Sequence, residues 1–296
     1  MSKCSHHHSQ HFYHASAFGV AGEIERPSRH TIPTQAATVL APSGGRGYER
    51  VDNFHFDGII SFKSAYAEVG GSFDECHNRH TSYATAVIDG LNILDVVTAD
   101  RVVSRLAIYS AEVGDKNGEA TFDITGSHFV NLKVAGHKID VKLATHIFHE
   151  HDTYSKVTHD HVAGKTDDWL LGSKFGTLKD GELAELEDTY HALGGMSELV
   201  REWKQKGNRP ADRGSYPFSP ANHLKLEDHT GTDTELRGFG SIICVPKFGL
   251  VRLAELHIQR HCRTFTMLRT QMCSTGTGGS DMGGTHGSGG AGSGGG

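Results

Sequence analysis

Between residues 81 and 147 apolar and polar positions alternate along the chain with a period of two. Successive side chains of a strand point to opposite faces, so such alternation predicts strands with one covered and one wet face. Its clearest passage has Val130, Leu132 and Val134 alternating with Asn131 and Lys133. Ala135-Gly136-His137-Lys138 follows as a turn, and Ile139, Val141, Leu143, Thr145 and Ile147 then alternate with Asp140, Lys142, Ala144 and His146. This predicts a hairpin over 130–147, with Gly136 at a turn position that needs positive φ. An antiparallel sheet covered on one side gives this pattern, whereas a buried parallel sheet gives unbroken apolar runs. Upstream, 93–97 and 101–109 are more continuously apolar and read as deeper strands, with a bend or bulge at Thr98-Ala99-Asp100.

The flanks extend the same reading. A first strand is predicted at 15–24, then a segment broken by Pro27, Pro33, Pro42 and the glycines around Arg46, with one short strand near 36–40. Residues 51–63 read as one alternating strand with Gly58 at a bulge, 66–72 as strand or turn, and 73–80 as a polar loop. Strands return at 238–245, 250–259 and 264–272, the first two joined by a turn through Pro246 and Gly249. One stretch breaks the pattern: Leu183, Leu186, Tyr190, Leu193, Met196, Leu199, Val200 and Trp203 recur at helical spacing, interrupted by Gly194-Gly195. The expected fold is therefore mainly β, an antiparallel β-sandwich or flattened barrel with a small helical insertion at about 182–206. A single domain is expected over 15–273, with a disordered His-rich end at 1–14 and a flexible Gly-rich tail at 274–296.

Composition narrows the function classes. Charged residues make up 22% and hydrophobic residues 36%, and the formal net charge is −6 with neutral histidine. No cluster of Lys and Arg marks a nucleic-acid footprint. No apolar run approaches the roughly 20 residues that cross a bilayer. The opening residues have no apolar core of a signal peptide, which favours the cytoplasm. The five cysteines are widely spaced with no C-x-x-C pair, as expected of free thiols in a reducing compartment.

The sharpest candidate chemistry is His149-Glu150-His151-Asp152 followed by His159-Asp160-His161. On strands, His149 and His151 share a face, as do His159 and His161, and two such pairs make a four-nitrogen site for a divalent metal such as zinc, nickel or copper. Against this, the chain holds 22 histidines spread from end to end, so pairs arise by chance and a solvated edge or loop explains them better than a metal site does. Gly164-Lys165-Thr166 resembles the end of a phosphate loop, but His159 stands where that loop needs glycine. There is no nucleophile elbow, no H-E-x-x-H and no dinucleotide fingerprint, so no catalytic residue and no cofactor is assigned. Asp95, Asp100 and Glu112 read as strand and turn carboxylates, and Asn92 and Asn131 as side chains that hydrogen-bond a turn or bulge.

Gly90-Leu-Asn-Ile-Leu-Asp-Val-Val-Thr-Ala-Asp-Arg-Val103 and Gly126-Ser-His-Phe-Val-Asn-Leu-Lys-Val-Ala-Gly-His137 resemble a group of uncharacterised bacterial β-rich proteins. Val51-Asp-Asn-Phe54, Ser61-Phe-Lys-Ser-Ala-Tyr66, Val245-Pro-Lys-Phe-Gly249 and Thr266-Met-Leu-Arg269 add to the likeness, which covers most of 15–272 and is weakest at 150–235. Asn131 to Gly136 is also similar to a hairpin of bacterial choice-of-anchor surface domains. The resemblance implies a β fold and carries no activity.

Three functions are expected from these observations. The first is a non-enzymatic structural or binding β-protein, self-assembling into a homo-oligomer or engaging another protein, with the Gly-rich tail as an assembly arm. The second is a metal-binding protein or metal-dependent hydrolase using His149, His151, His159 and His161. The third is a carbohydrate-binding module, which requires exposed aromatic side chains on one face; Tyr66, Tyr83 and Tyr109 are its candidates.

Overall fold

The computed structural model describes residues 11–24, 30–111, 119–171, 173–174, 179, 181–182, 215–221, 224, 236–272 and 278–291. In chain order the strands are β1 (His11–Ile24), β2 (His30–Gln35), β3 (Thr38–Val39), β4 (Gly45–Phe56), β5 (Ile60–Asp74), β6 (Arg79–Ile93) and β7 (Val97–Ala111). The short β8 (Thr121–Asp123), β9 (His128–Val130), β10 (Lys133–Val134) and β11 (His137–Lys138) follow, then helices α1 (Ile147–Glu150) and α2 (Tyr154–Val162). The chain closes with β12 (Ser215–Phe218), β13 (Arg237–Phe239), β14 (Ile242–Val245), β15 (Gly249–Gln259), β16 (Arg263–Met272) and β17 (Gly278–Ala291). They form two antiparallel sheets. One runs β13-β14-β15-β16-β17-β1-β2, with β12 on β15 and β3 on β1; the other runs β11-β10-β7-β6-β5-β4, with β8 and β9 on β7. The mainly β, antiparallel sandwich expected from the alternation is what the chain forms, and neither sheet closes into a barrel. Among the described residues no helix is long and apolar enough to cross a membrane.

The long meander β4 to β7 turns on residues with positive φ. Asp57 (φ 46°) and Gly58 (φ 67°) form the β4–β5 turn, closed by the Ile59 amide donating to the Phe56 carbonyl at 2.8 Å. Asp-Gly is favoured for this left-handed pair, so what reads along the sequence as one bulged strand over 51–63 is a hairpin. Leu94 (φ 51°) and Asp95 (φ 55°) make the β6–β7 turn, held by Asn92, whose side chain accepts from the Asp95 amide at 2.8 Å and donates to its carboxylate at 2.6 Å. The run 93–97 is thus a turn between two strands, and Val97–Ala111 is one strand through Asp100. The hairpin predicted over 130–147 is shorter than expected. Ala135 (φ 48°) and Gly136 (φ 81°) form its turn, and the second arm ends at Lys138.

Along each long strand the alternation reverses once. On β5 the inward residues are Ile60 and Phe62, then Ala65, Ala67 and Val69; on β6 they are Ser82, Ala84, Ala86 and Ile88, then Leu91 and Ile93. The reversals line up across the sheet. Pairing lapses at Asn53 opposite Lys63, Lys63 opposite Gly90, and Gly90 opposite Asp100. Asn131, which separates β9 from β10, falls in the same row and donates to the Asp100 carboxylate at 2.6 Å. Asn53, Gly90 and Asn131 carry positive φ, at 55°, 65° and 50°. A left-handed residue shifts the pleat by one position, so the row is a crease at which inner and outer faces exchange parity. The nine-stranded sheet has a counterpart through Ala254 (φ 54°), Met267, Gly283 and Gly19, where pairing likewise lapses.

Two segments read as tails or strands in the sequence behave otherwise. Gly278–Ala291 pairs with β16 on one edge and β1 on the other, so part of the expected flexible tail is an interior strand. Glycine offers little to bury, but its backbone groups are satisfied on both edges, and that outweighs composition here. His11–His14, expected in a disordered end, belongs to β1. Apart from Glu182, the helical insertion expected at 182–206 lies outside the described residues.

Candidate functional site

The outer face of the eight-stranded sheet brings together one exposed tyrosine, three half-buried ones and a set of charged side chains with mutual contacts. Its rows follow from register: Tyr48 opposite Glu68, Thr85 and Arg105; Arg50 opposite Tyr66, Val87 and Val103; Asp52 opposite Ser64, Asp89 and Arg101. Tyr83 stands beside them opposite Gly70 and Ala107, and Tyr109 opposite Thr81. These positions share the outward parity on their side of the crease. Val87 and Val103 are buried yet belong to neither core cluster, as expected of residues covered by neighbours on the outer face.

Tyr48 is 58% exposed and stacks on Tyr66 at a centroid distance of 5.9 Å. The Arg79 guanidinium lies 4.1 Å from the centre of the Tyr109 ring. Tyr83 donates to the Glu68 carboxylate at 2.8 Å, and its ring lies over Gly70, where no side chain would fit. Burial, followed by that carboxylate, raises the Tyr83 pKa, so the phenol stays protonated and remains a donor. Arg101 grips Asp89 with two nitrogens at 2.6 and 3.2 Å, and Ser64 donates to the same carboxylate at 3.3 Å. Arg50 pairs with Asp52 two positions along its own strand, at 2.9 Å. Aspartate hydrogen bonds raise the pKa of both arginines. Past the crease the face ends in a cleft of about 140 Å³, lined by His55, Gly58, Ile59, Ile60, Ser61, Asn92 and Asp95, between the β4–β5 and β6–β7 turns. The whole is a mixed-charge surface in which flat rings alternate with fixed donors and acceptors.

The histidines singled out in the sequence do not lie on strands. His149 is exposed in α1, and His151 caps that helix with its Nδ1 3.0 Å from Asp160. His159 and His161 both sit on α2, where a spacing of two residues points them to different sides. His159 is exposed, whereas His161 is fully buried, 3.3 Å from the Thr166 hydroxyl and edge-on to Tyr216 at 5.1 Å. Asp160 is held below the usual carboxylate range by Lys165 first, at 2.9 Å, and by His151 and His159. No group of three or more His, Cys, Asp or Glu among the described residues is arranged to hold a metal ion. Lys165 and Thr166, from the phosphate-loop resemblance, are occupied in this same small helical unit. Asn92 and Asn131 hydrogen-bond a turn and the crease, as expected; Asp95 serves the turn, Asp100 the crease, and Glu112 lies outside the described residues.

A second charged cluster escapes sequence inspection. Arg252 and Arg269 face each other across β15 and β16, and both reach Glu255, which is 1% exposed. Regular alternation would send Arg252 and Glu255 to opposite faces; the left-handed Ala254 between them brings them together. Arg252 also donates to Gln271 at 2.9 Å. Burial lowers the pKa of neighbouring His257, with Glu255 opposing and the two arginines reinforcing the shift. This cluster ties two strands; its side chains are spent on one another.

A family model described as a domain of unknown function (DUF8256) matches residues 11–259. No curated protein and no solved structure matches the chain.

Proposed function

We propose that this chain, which belongs to the DUF8256 family, is a carbohydrate-binding β-sandwich that docks a neutral glycan on the outer face of its eight-stranded sheet. The observation that carries the reading is the gathering of Tyr48, Tyr66, Tyr83 and Tyr109 on that one face, between anchored arginine and carboxylate side chains. A pyranose ring has apolar faces that lie against flat aromatic rings and an equator of hydroxyls that exchange hydrogen bonds with Arg, Asp, Glu and Ser. Exposed Tyr48, stacked on half-buried Tyr66, offers the stacking surface. Asp89 and Arg101, fixed by each other and by Ser64, offer hydroxyl partners whose orientation is set before a ligand arrives. Arg50 and Arg101 are engaged by Asp52 and Asp89, which suits an uncharged polymer better than a polyanion. The cleft beside His55, Ser61 and Asn92 extends the same face and accommodates a chain end or branch.

Affinity electrophoresis through gels cast with neutral β-glucan, mannan or xylan tests the reading. At least one polymer retards the full chain. Tyr48→Ala and Tyr66→Ala each weaken binding about tenfold, the equivalent of one aromatic contact of about 1.4 kcal/mol. His149→Ala leaves mobility unchanged. Binding that survives loss of both tyrosines, or mobility that no neutral polysaccharide alters, overturns it.

A further inference from the structure

Among the described residues β17 is the last strand in sequence, and it lies inside a sheet. It separates β16 from β1 and is hydrogen-bonded to both along its length. Both neighbours are held independently of it. β16 pairs with β15 from Gly249 opposite Met272 to Ile258 opposite Arg263. β1 pairs with β2 and β3, and it packs on β5 and β6 with Cα atoms within 8 Å. Removing β17 therefore leaves two formed strands with facing, unsatisfied edges, which is the arrangement that accepts a strand from elsewhere. In sequence, residues 273–277 join it to β16. The family match ends at residue 259, so the strand that fills the gap beside β1 lies beyond the matched part.

We propose that β17 is an exchangeable strand, and that two copies of this chain associate by each placing its β17 between β16 and β1 of the other. The backbone bonds made are the same within one chain or between two, so exchange costs little beyond the entropy of association. The sequence Gly-Gly-Ser-Asp-Met-Gly-Gly-Thr-His-Gly-Ser-Gly-Gly-Ala gives the strand few side chains to fix it to one acceptor, and weakly specified strands are the ones that swap. The partner is a second copy because the slot's register is already matched by the chain's own last strand. This inference is independent of the glycan-binding face, which lies on the other sheet.

Register supplies the test. Ser16 is opposite His286 across β1 and β17. Two full-length chains are prepared with their native cysteines replaced by serine, one carrying Ser16→Cys and the other His286→Cys, each with a different mass label. They are mixed at high concentration, incubated and oxidised. Before oxidation, light scattering shows a dimer that dissociates on dilution; after oxidation, strand exchange gives a disulfide-linked heterodimer as the main cross-linked product. An off-register pair, Ala21→Cys with His286→Cys, cross-links at least tenfold less. A mixture that stays monomeric at high concentration overturns the proposal. So does a dimer without the 16–286 cross-link, which associates through another surface. Native mass spectrometry of unmodified heavy and light chains repeats the measurement without substitutions, and absence of mixed dimers there is equally decisive.

Discussion

Two core clusters among the described residues of the sandwich are built from different side chains, and the spacing of the sheets follows. One cluster collects Ile60, Phe62, Ile88, Leu91, Ile93, Leu106, Phe122, Leu132, Phe148, Tyr216, Leu256 and Phe265. The other consists of Ala15, Ala17, Ala67 and Ala84 with Tyr13, Leu40 and Val69. Where β1 and β17 cross β5, β6 and β7, Cα atoms approach within 8 Å, closer than the roughly 10 Å of ordinary sheet packing. β15 makes no comparable approach to the opposite sheet. The space on that side is shared with residues of the helical segment, including Ile147, Phe148, Val157 and Leu170. The sandwich is a wedge. Alanine sets the thin side, and branched and aromatic side chains set the thick one.

Four changes break or sharpen this contrast. The largest effect is expected from Leu256→Ala on the thick side, a loss of about 2–5 kcal/mol in urea unfolding, because a fully buried side chain leaves a cavity. A loss well below this range would mean that the thick side collapses readily. Glu255→Gln follows, with a loss of about 3 kcal/mol, since Arg252 and Arg269 would share a site without their counter-charge. On the thin side the sign of the volume rule reverses. Ala67→Leu is expected to cost about 1–3 kcal/mol through overpacking, although the same replacement adds apolar surface. A neutral or stabilising result would show that alanine does not set the spacing there.

The smallest effect is acidic. His11 stacks on His80 at 3.8 Å beside Tyr13, and burial, with the neighbouring imidazole second, lowers its pKa to about 4. Its folded value lies below the unfolded value near 6.5, so the unfolded chain binds the proton first. The stability this group contributes is complete above about pH 6.5 and is lost as pH falls towards 4. His257, also shifted downward by burial, adds in the same direction. Melting temperature should be flat from pH 7 to 8 and decline from pH 6.5 to 4, with a shallower decline in His11→Gln.

How much of this was legible depends on what each residue competes with. The strands expected at 15–24, 101–109, 250–259 and 264–272 all form, the apolar run at 250–259 because that strand is covered on both faces. Asp57-Gly58 carries the signal of a left-handed hairpin turn, but the apolar parity of Phe54, Phe56, Ile60 and Phe62 runs through it and conceals it. Leu94 is a poor residue for positive φ, so the β6–β7 turn rests on Asn92, a tertiary detail. The shared faces that strands would give the His pairs are absent because 147–150 and 154–162 are helical, the second helix started by the cap at Thr153, which accepts from the Lys156 amide at 3.2 Å. Of the outer tyrosine face, Tyr66, Tyr83 and Tyr109 could be singled out as a set, and they share a side. Tyr48 and the Asp89–Arg101 pair could not, because strand order and register place them there.

The crease through Asn53, Lys63, Gly90, Asp100 and Asn131 bears on how the meander avoids mispairing. A plain alternating strand that slides by two residues keeps its apolar face inward and is hardly penalised. With a left-handed residue at one fixed place on every second strand, such a slide moves Gly90 away from Lys63 and Asp100 and sets the parity of one half against the other. The crease thus acts as a detent: of all alignments of four long strands, it admits one, and it withholds from misaligned neighbours the flat ladder on which aggregation grows.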